Sequence, residues 1–182
     1  MTKTQSVAES LTALQAGDAE HAVALSTQFS GREGSLYEHD TVAIVKTILG
    51  DDYSPDPKFT ESILAPLRIL AAATELWGLD EISEYIDISG NWHFRYEPVE
   101  AVRFLHDAGV ERQRLDGMAR MGVEKVRIHF ANRSWVCSEC RKLKDREFAI
   151  AEAPALPVVD CLADPPCLGH YAAAQRIAPL PA

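Results

Sequence analysis

Apolar positions along this chain follow two different periods. From Ser6 to about Phe29, small, apolar and polar residues alternate in a helical rhythm that predicts inward contacts at Leu11, Leu14, Ala22 and Leu25. Gly17-Asp18 should divide that run into two short helices, because glycine weakens a helix interior and aspartate is a good N-cap. Val42, Ile44-Val45 and Ile48-Leu49 predict a helix from Glu38 to Leu49, stopped by Gly50. The stretch from Phe59 to Trp77 is apolar nearly all round, which marks it as the central helix of a core, ended by Gly78. A short helix capped by Asp80 follows, reaching Tyr85 or Ile86. Glu97-Pro98 then opens a helix running to Gly109, and another runs from Glu111 to Met121 with Gly122 as its terminating glycine.

Beyond Gly122 the period shortens. Val126, Ile128 and Phe130 alternate with Lys125, Arg127 and His129, the two-residue repeat of a half-buried strand, and Phe148-Ala149-Ile150 is a candidate return strand against it. Between them, Asn132-Arg133-Ser134 reads as a turn, as does Ser89-Gly90-Asn91 farther upstream. Trp92-His93-Phe94-Arg95-Tyr96 reads as a short strand or an aromatic-rich loop, its rings more simply a core-facing cluster than a stacking platform for a ligand. The predicted class is therefore α+β: a mainly helical body over 1–121, a small zinc-stabilised β-hairpin subdomain over 122–175, and a flexible tail over 176–182.

Composition fits this picture. A chain of 182 residues, 47% hydrophobic and 25% charged, can bury a sizeable core without staples. Met1 to Ser6 has no apolar segment behind a basic one, and no run of about eighteen apolar residues occurs, so the expectation is a cytoplasmic protein with no membrane partner. The net charge of −9 argues against broad attraction to nucleic acid, but it is unevenly spread. Ten of the eighteen Lys and Arg residues lie between Arg112 and Arg146 against four acids, so that window carries about +6 and the rest about −15.

Several motifs fail on their own chemistry. The glycines of Phe29 to Ser35 lack the G-K-[ST] ending of a phosphate loop. Asp51, Asp52 and Asp56 lie in a loop whose prolines break the ligand alternation that calcium requires. His93 and His106 have no nucleophile at partner spacing.

The cysteines are different. All four fall in the frame C-x2-C-x20-C-x5-C-x2-H, formed by Cys137, Cys140, Cys161, Cys167 and His170. A C-x2-C pair places two thiolates on one tight turn, and a second pair arriving from a later loop completes the tetrahedron that Zn²⁺ takes in closed structural sites. The preferred ligand set is the four cysteines, with His170 replacing one of the later two as the alternative. Asp164-Pro165-Pro166 reads as a rigid separator of the later pair, and Pro154, Leu156 and Pro157 as an extended arm that returns it to the first. Four thiolates leave no position for water, so the zinc would stabilise rather than catalyse. A catalytic zinc would need an open position and a base such as Glu139 or Glu152.

From Gly122-Val123-Glu124-Lys125-Val126, through Cys137, Cys140, Leu143 and Phe148, to Pro154-Ala155-Leu156-Pro157 and Cys161, the order of features resembles the C-terminal segment of phage head-morphogenesis, or minor head, proteins of the Mu gpF type. Two features depart from that pattern: Lys144-Asp145 stands where the family has Asp-Gly, and Asp160-Cys161 with a displaced Cys167 replaces a His-Pro-x-Cys-x-Cys ending. The resemblance implies a metal-bound β-structure on a helical body and a role in a head assembly.

The expected function is thus a non-enzymatic zinc protein whose metal site stabilises a surface for a protein partner. The alternative is nucleic-acid binding through Arg127, Arg133, Arg141, Lys142, Lys144 and Arg146, and a third class is a thiol redox sensor. The residues do not specify an oligomeric state.

Overall fold

A computed structural model of the chain describes residues 1–30, 35–86, 92–130, 136–161, 163 and 167–174. It resolves into two compact units, Met1–Val110 and Glu111–Ala182. Among the described residues there are seven α-helices and a small antiparallel sheet of three strands, the α+β architecture expected. No helix of the described residues is long and apolar enough to cross a membrane.

The first unit is helical. Helix α1 (Lys3–Gln15) opens with a capping box, in which Thr2 Oγ1 accepts from the Gln5 amide at 3.3 Å and the Thr2 amide donates to Gln5 Oε1 at 2.9 Å. The chain reverses at Gly17, whose φ of +77° suits glycine, and Asp18 Oδ1 accepts from the His21 amide at 3.0 Å to start α2 (Ala19–Ser30). Leu14, Ala22 and Leu25 are buried as their spacing predicts, while Leu11 is half-buried.

Helix α3 (Ser35–Gly50) and helix α4 (Glu61–Trp77) follow, with the short α5 (Leu79–Ser83) behind them. Helix α4 packs against α1, α2, α3 and α5 and buries Leu64, Leu67 and Ala71-Ala72-Ala73, the central place its apolar run predicts, while Ala65 and Pro66 are exposed. Phe59, Trp92 and Phe94 meet edge to face with ring centroids 4.6–5.6 Å apart, so the aromatic stretch packs on itself through bends rather than forming a strand.

Between Glu97 and Met121 the structure corrects the sequence reading. Instead of two helices parted at Gly109, one continuous helix, α6, spans Pro98–Arg120. A Cβ on Gly109 would lie 2.2 Å from Ile48 Cγ1 and 3.1 Å from Ile48 Cα. The glycine therefore lets α3 and α6 approach closely, and its role is packing rather than helix termination. The unit boundary after Val110 accordingly falls inside α6, whereas the sequence pattern suggested a break at Gly122.

The second unit begins with the remainder of α6. That helix ends as expected at Gly122, with φ +78°, where the Val123 amide reaches back to Met118 O and the Gly122 amide to Ala119 O, each at 3.0 Å. Strand β1 (Lys125–Phe130) is central in the order β2-β1-β3 and alternates exposed and buried residues along its whole length. Helix α7 (Ser138–Leu143) leads to β2 (Glu147–Ala149), which returns antiparallel on β1 with Val126 opposite Phe148.

The third strand, β3 (Gly169–Ala173), was not anticipated. It pairs with β1 from Val126↔Ala173 to Phe130↔Gly169. Gly169 fits because a Cβ there would meet the Phe130 ring at 3.0 Å and Ile128 Cγ2 at 3.1 Å. Along β3 the Tyr171 amide donates to Glu111 Oε2 at 2.9 Å, so a carboxylate nine-tenths buried on α6 supplies the acceptor that another strand would have provided. The predicted loop around 31–34, the turns at Ser89-Gly90-Asn91 and Asn132-Arg133-Ser134, the Asp164-Pro165-Pro166 separator and the tail at 176–182 lie outside the described residues.

Candidate metal centre

The core of the second unit is part hydrocarbon and part sulfur. Val126, Ile128, Phe130, Val136, Leu156 and Tyr171 enclose the buried Cys140, Cys161 and Cys167, with Cys137 half-buried at the margin. Each cysteine is delivered by local structure. Cys137 is the N-cap of α7, extended at φ −64° and ψ 168°, and its sulfur accepts from the Cys140 amide at 3.5 Å. That places Cys140 in the first turn, one helical step away and facing the same way.

The second pair arrives along the arm after β2. A 3-10 turn, Ile150–Glu152, is pinned where the Ile150 amide donates to Glu124 O at 3.0 Å, and the Tyr171 hydroxyl donates to Pro154 O. The cis Leu156–Pro157 bond then lies in the arm, which buries Leu156 and turns at Val158, whose carbonyl accepts from the Cys161 amide at 3.0 Å.

The four sulfurs all lie within 4.8 Å of one another. Cys137 Sγ and Cys161 Sγ are 3.8 Å apart. A tetrahedral ion with metal–sulfur bonds of about 2.3 Å requires edges of about 3.8 Å, whereas a disulfide would require about 2.0 Å. Backbone amides aim at the sulfurs as well: the Cys137 amide donates to Cys167 Sγ and the Cys167 amide to Cys161 Sγ, each at 3.3 Å. These bonds stabilise thiolate charge and fix the cysteine rotamers.

Electrostatics point the same way. Burial pushes the Cys140 thiol far up, and the Cys137 and Cys161 sulfurs beside it push it farther; burial also raises Cys167. Four sulfurs this close cannot all ionise unaided, since each thiolate disfavours the next. A divalent cation at their centre reverses that balance, because a coordinated thiol is deprotonated outright. The residues therefore fit a soft or borderline cation, and the set can hold a metal ion with no ligand position left for a reactant.

His170 is not part of this group. It lies on β3, exposed and directly opposite His129, with the two rings stacked at a centroid distance of 5.8 Å. The two-residue strand period carries it to the face opposite buried Tyr171, a displacement invisible while the segment is read as a loop.

The basic residues of the same unit are largely engaged. Arg127 bonds Glu147, and Lys125 reaches the same carboxylate at 4.0 Å, which holds that carboxyl below its usual range. Arg141 donates to Val136 O at 3.0 Å, Lys142 pairs with Glu139 at 2.6 Å, and the Arg146 guanidinium lies 5.3 Å from the centre of the Phe148 ring. Lys144 is half-buried beside Ile128, and Arg133 lies outside the described residues. The net positive charge of the basic window overstates its free cations, because Glu111 and Glu147 sit just beyond its ends and folding brings them back onto Arg114 and Arg127.

In the first unit, His106 bridges α4 and α6, with Nε2 2.9 Å from Glu75 and Nδ1 3.1 Å from Asp107. Burial opposes its charge, but the hydrogen bonds and charges of Asp107 and Glu75 outweigh that and hold its pKa at about 9. At neutral pH it is an imidazolium with no lone pair to act as a base. No family model matches the chain, and no curated protein or solved structure matches it significantly.

Proposed function

We propose that this chain is a non-enzymatic zinc protein in which Zn²⁺, held by Cys137, Cys140, Cys161 and Cys167, stabilises a surface that binds a protein partner. The observation that carries the reading is the sulfur geometry: four thiols within 4.8 Å, one edge at 3.8 Å, on three separate pieces of chain. Zinc is favoured among soft cations because it accepts a tetrahedral four-sulfur set with no electronic preference of its own. The ion would supply charge neutralisation and a crosslink between α7, the proline arm and the start of β3. Leu168, beside Cys167, is presented to solvent, and Met121 is exposed in the same unit; apolar side chains held on a metal-fixed frame suit an anchor for a protein partner. The resemblance to minor head proteins makes a phage-head-like assembly the setting we propose.

Metal analysis of the purified chain tests the centre. About one zinc per chain is expected, lost in Cys137→Ser, Cys140→Ser, Cys161→Ser and Cys167→Ser and retained in His170→Ala; absence of stoichiometric metal from the wild type would sink the reading. The partner is tested by sedimentation of extracts containing the chain, which should run with large particles only while the cysteines are intact. Nucleic-acid binding predicts instead a steep salt dependence abolished by Arg141→Glu with Lys142→Glu.

A further inference from the structure

The β1–β3 ladder sets His129 directly opposite His170, between the pairs Ile128↔Tyr171 and Phe130↔Gly169 that fix the backbone on either side. Both side chains are exposed, and their rings face each other with centroids 5.8 Å apart and planes inclined by 22°. Direct opposition on antiparallel strands places Cβ atoms about 4.5–5.5 Å apart. Two imidazole nitrogens bound side by side to one ion, each at about 2.0–2.1 Å, are separated by about 3.0–3.4 Å. Rotation of two exposed side chains about χ1 and χ2 can close that difference without backbone movement.

We infer that His129 and His170 form a second, solvent-open site for a divalent transition-metal ion of the Ni²⁺, Cu²⁺ or Zn²⁺ class, one imidazole from each strand and water in the remaining positions. Imidazole suits these metals, and two rings fixed opposite each other form a chelate where a single exposed histidine would not. Burial, then the Arg114 and His129 charges, hold the His170 pKa below its usual value, so its nitrogen lone pair is available at neutral pH.

The cations nearest the pair are already compensated. Arg114, facing it from α6, is 3.1 Å from Glu111, and Arg127, two residues before His129, bonds Glu147, which Lys125 also approaches. The site differs in kind from the thiolate set. It is open, so its ion exchanges, and it staples β1 to β3 rather than closing a core.

The test uses the whole chain carrying one equivalent of Zn²⁺, titrated with Ni²⁺ near pH 7.5 by calorimetry and by NMR of the histidine ring protons. One further Ni²⁺ per chain is expected, broadening the His129 and His170 rings together. Affinity should fall at least tenfold in His129→Thr and in His170→Thr, residues that keep strand propensity, and remain unchanged in His21→Ala and His93→Ala. Absence of an additional ion, broadening of one ring alone, or undiminished affinity in either threonine variant overturns the site. Should a variant fail to fold, the wild-type broadening pattern decides.

Discussion

At the scale of single residues, function and packing compete for the same letters, and surroundings decide between them. Gly109 is the clearest case. Were it merely a weak point in a helix, Gly109→Ala would stabilise the chain by about 1 kcal/mol. Because a Cβ would meet both the side chain and the Cα of Ile48, the variant is instead expected to lose about 1–3 kcal/mol in denaturant melts. Measured against an Ile48→Ala background, which is itself destabilised by loss of a buried side chain, Gly109→Ala should cost less than in the wild type but still something, since the contact with Ile48 Cα remains. A stabilised Gly109→Ala would refute the close-approach role.

His106 gives a second residue-level prediction. Its folded pKa of about 9 lies above the ordinary 6.5, so the stabilisation is complete below about pH 6.5 and is lost as pH rises through 9. The full effect is about 3 kcal/mol. Unfolding free energies measured at pH 6 and pH 9.5 should differ by roughly this amount more in the wild type than in His106→Gln. Equal differences would mean that the Glu75 and Asp107 contacts contribute no net binding of the proton.

At the scale of elements, β3 shows how a segment without strand-like alternation becomes a strand. Gly169-His170-Tyr171-Ala172-Ala173 contains one large apolar residue, and its pairing rests on β1 on one side and on Glu111 on the other. Glu111→Ala should therefore cost about 1–3 kcal/mol and speed hydrogen exchange at the Tyr171 amide, because a buried donor loses its carboxylate acceptor. Glu111→Gln, which keeps an acceptor but loses the Arg114 pair, should fall between them. Unchanged Tyr171 exchange in the alanine variant would show that the strand edge does not depend on α6.

At the scale of the whole molecule, removal of the proposed Zn²⁺ should affect the two units differently. The first has a hydrocarbon core to which α1 to α5 and the first half of α6 contribute, whereas the second fills the middle of its core with cysteine sulfur. Structural zinc sites contribute on the order of 10–16 kcal/mol of apparent binding free energy, comparable to the entire stability of a small domain. A strong chelator should accordingly abolish exchange protection in residues 125–130 and 169–173 while leaving that of α1 and α4 nearly intact. Simultaneous loss in both units would contradict independent cores.

The sequence by itself determined the elements whose information is local. The capped start at Asp18, the stop at Gly122, the alternation of β1, the return of β2 and the C-x2-C turn each depend on a few neighbouring residues, and all occur where the chain pattern puts them. Only tertiary structure decided the rest. Gly109 needed Ile48 opposite it, β3 needed a pairing partner and the Glu111 carboxylate, and the basic window needed two acids from beyond its ends. His170 shows the limit most sharply: spacing from Cys167 made it an alternative ligand for the cysteine site, but a strand turns alternate side chains to opposite faces, and that turn carried it from the sulfurs to His129.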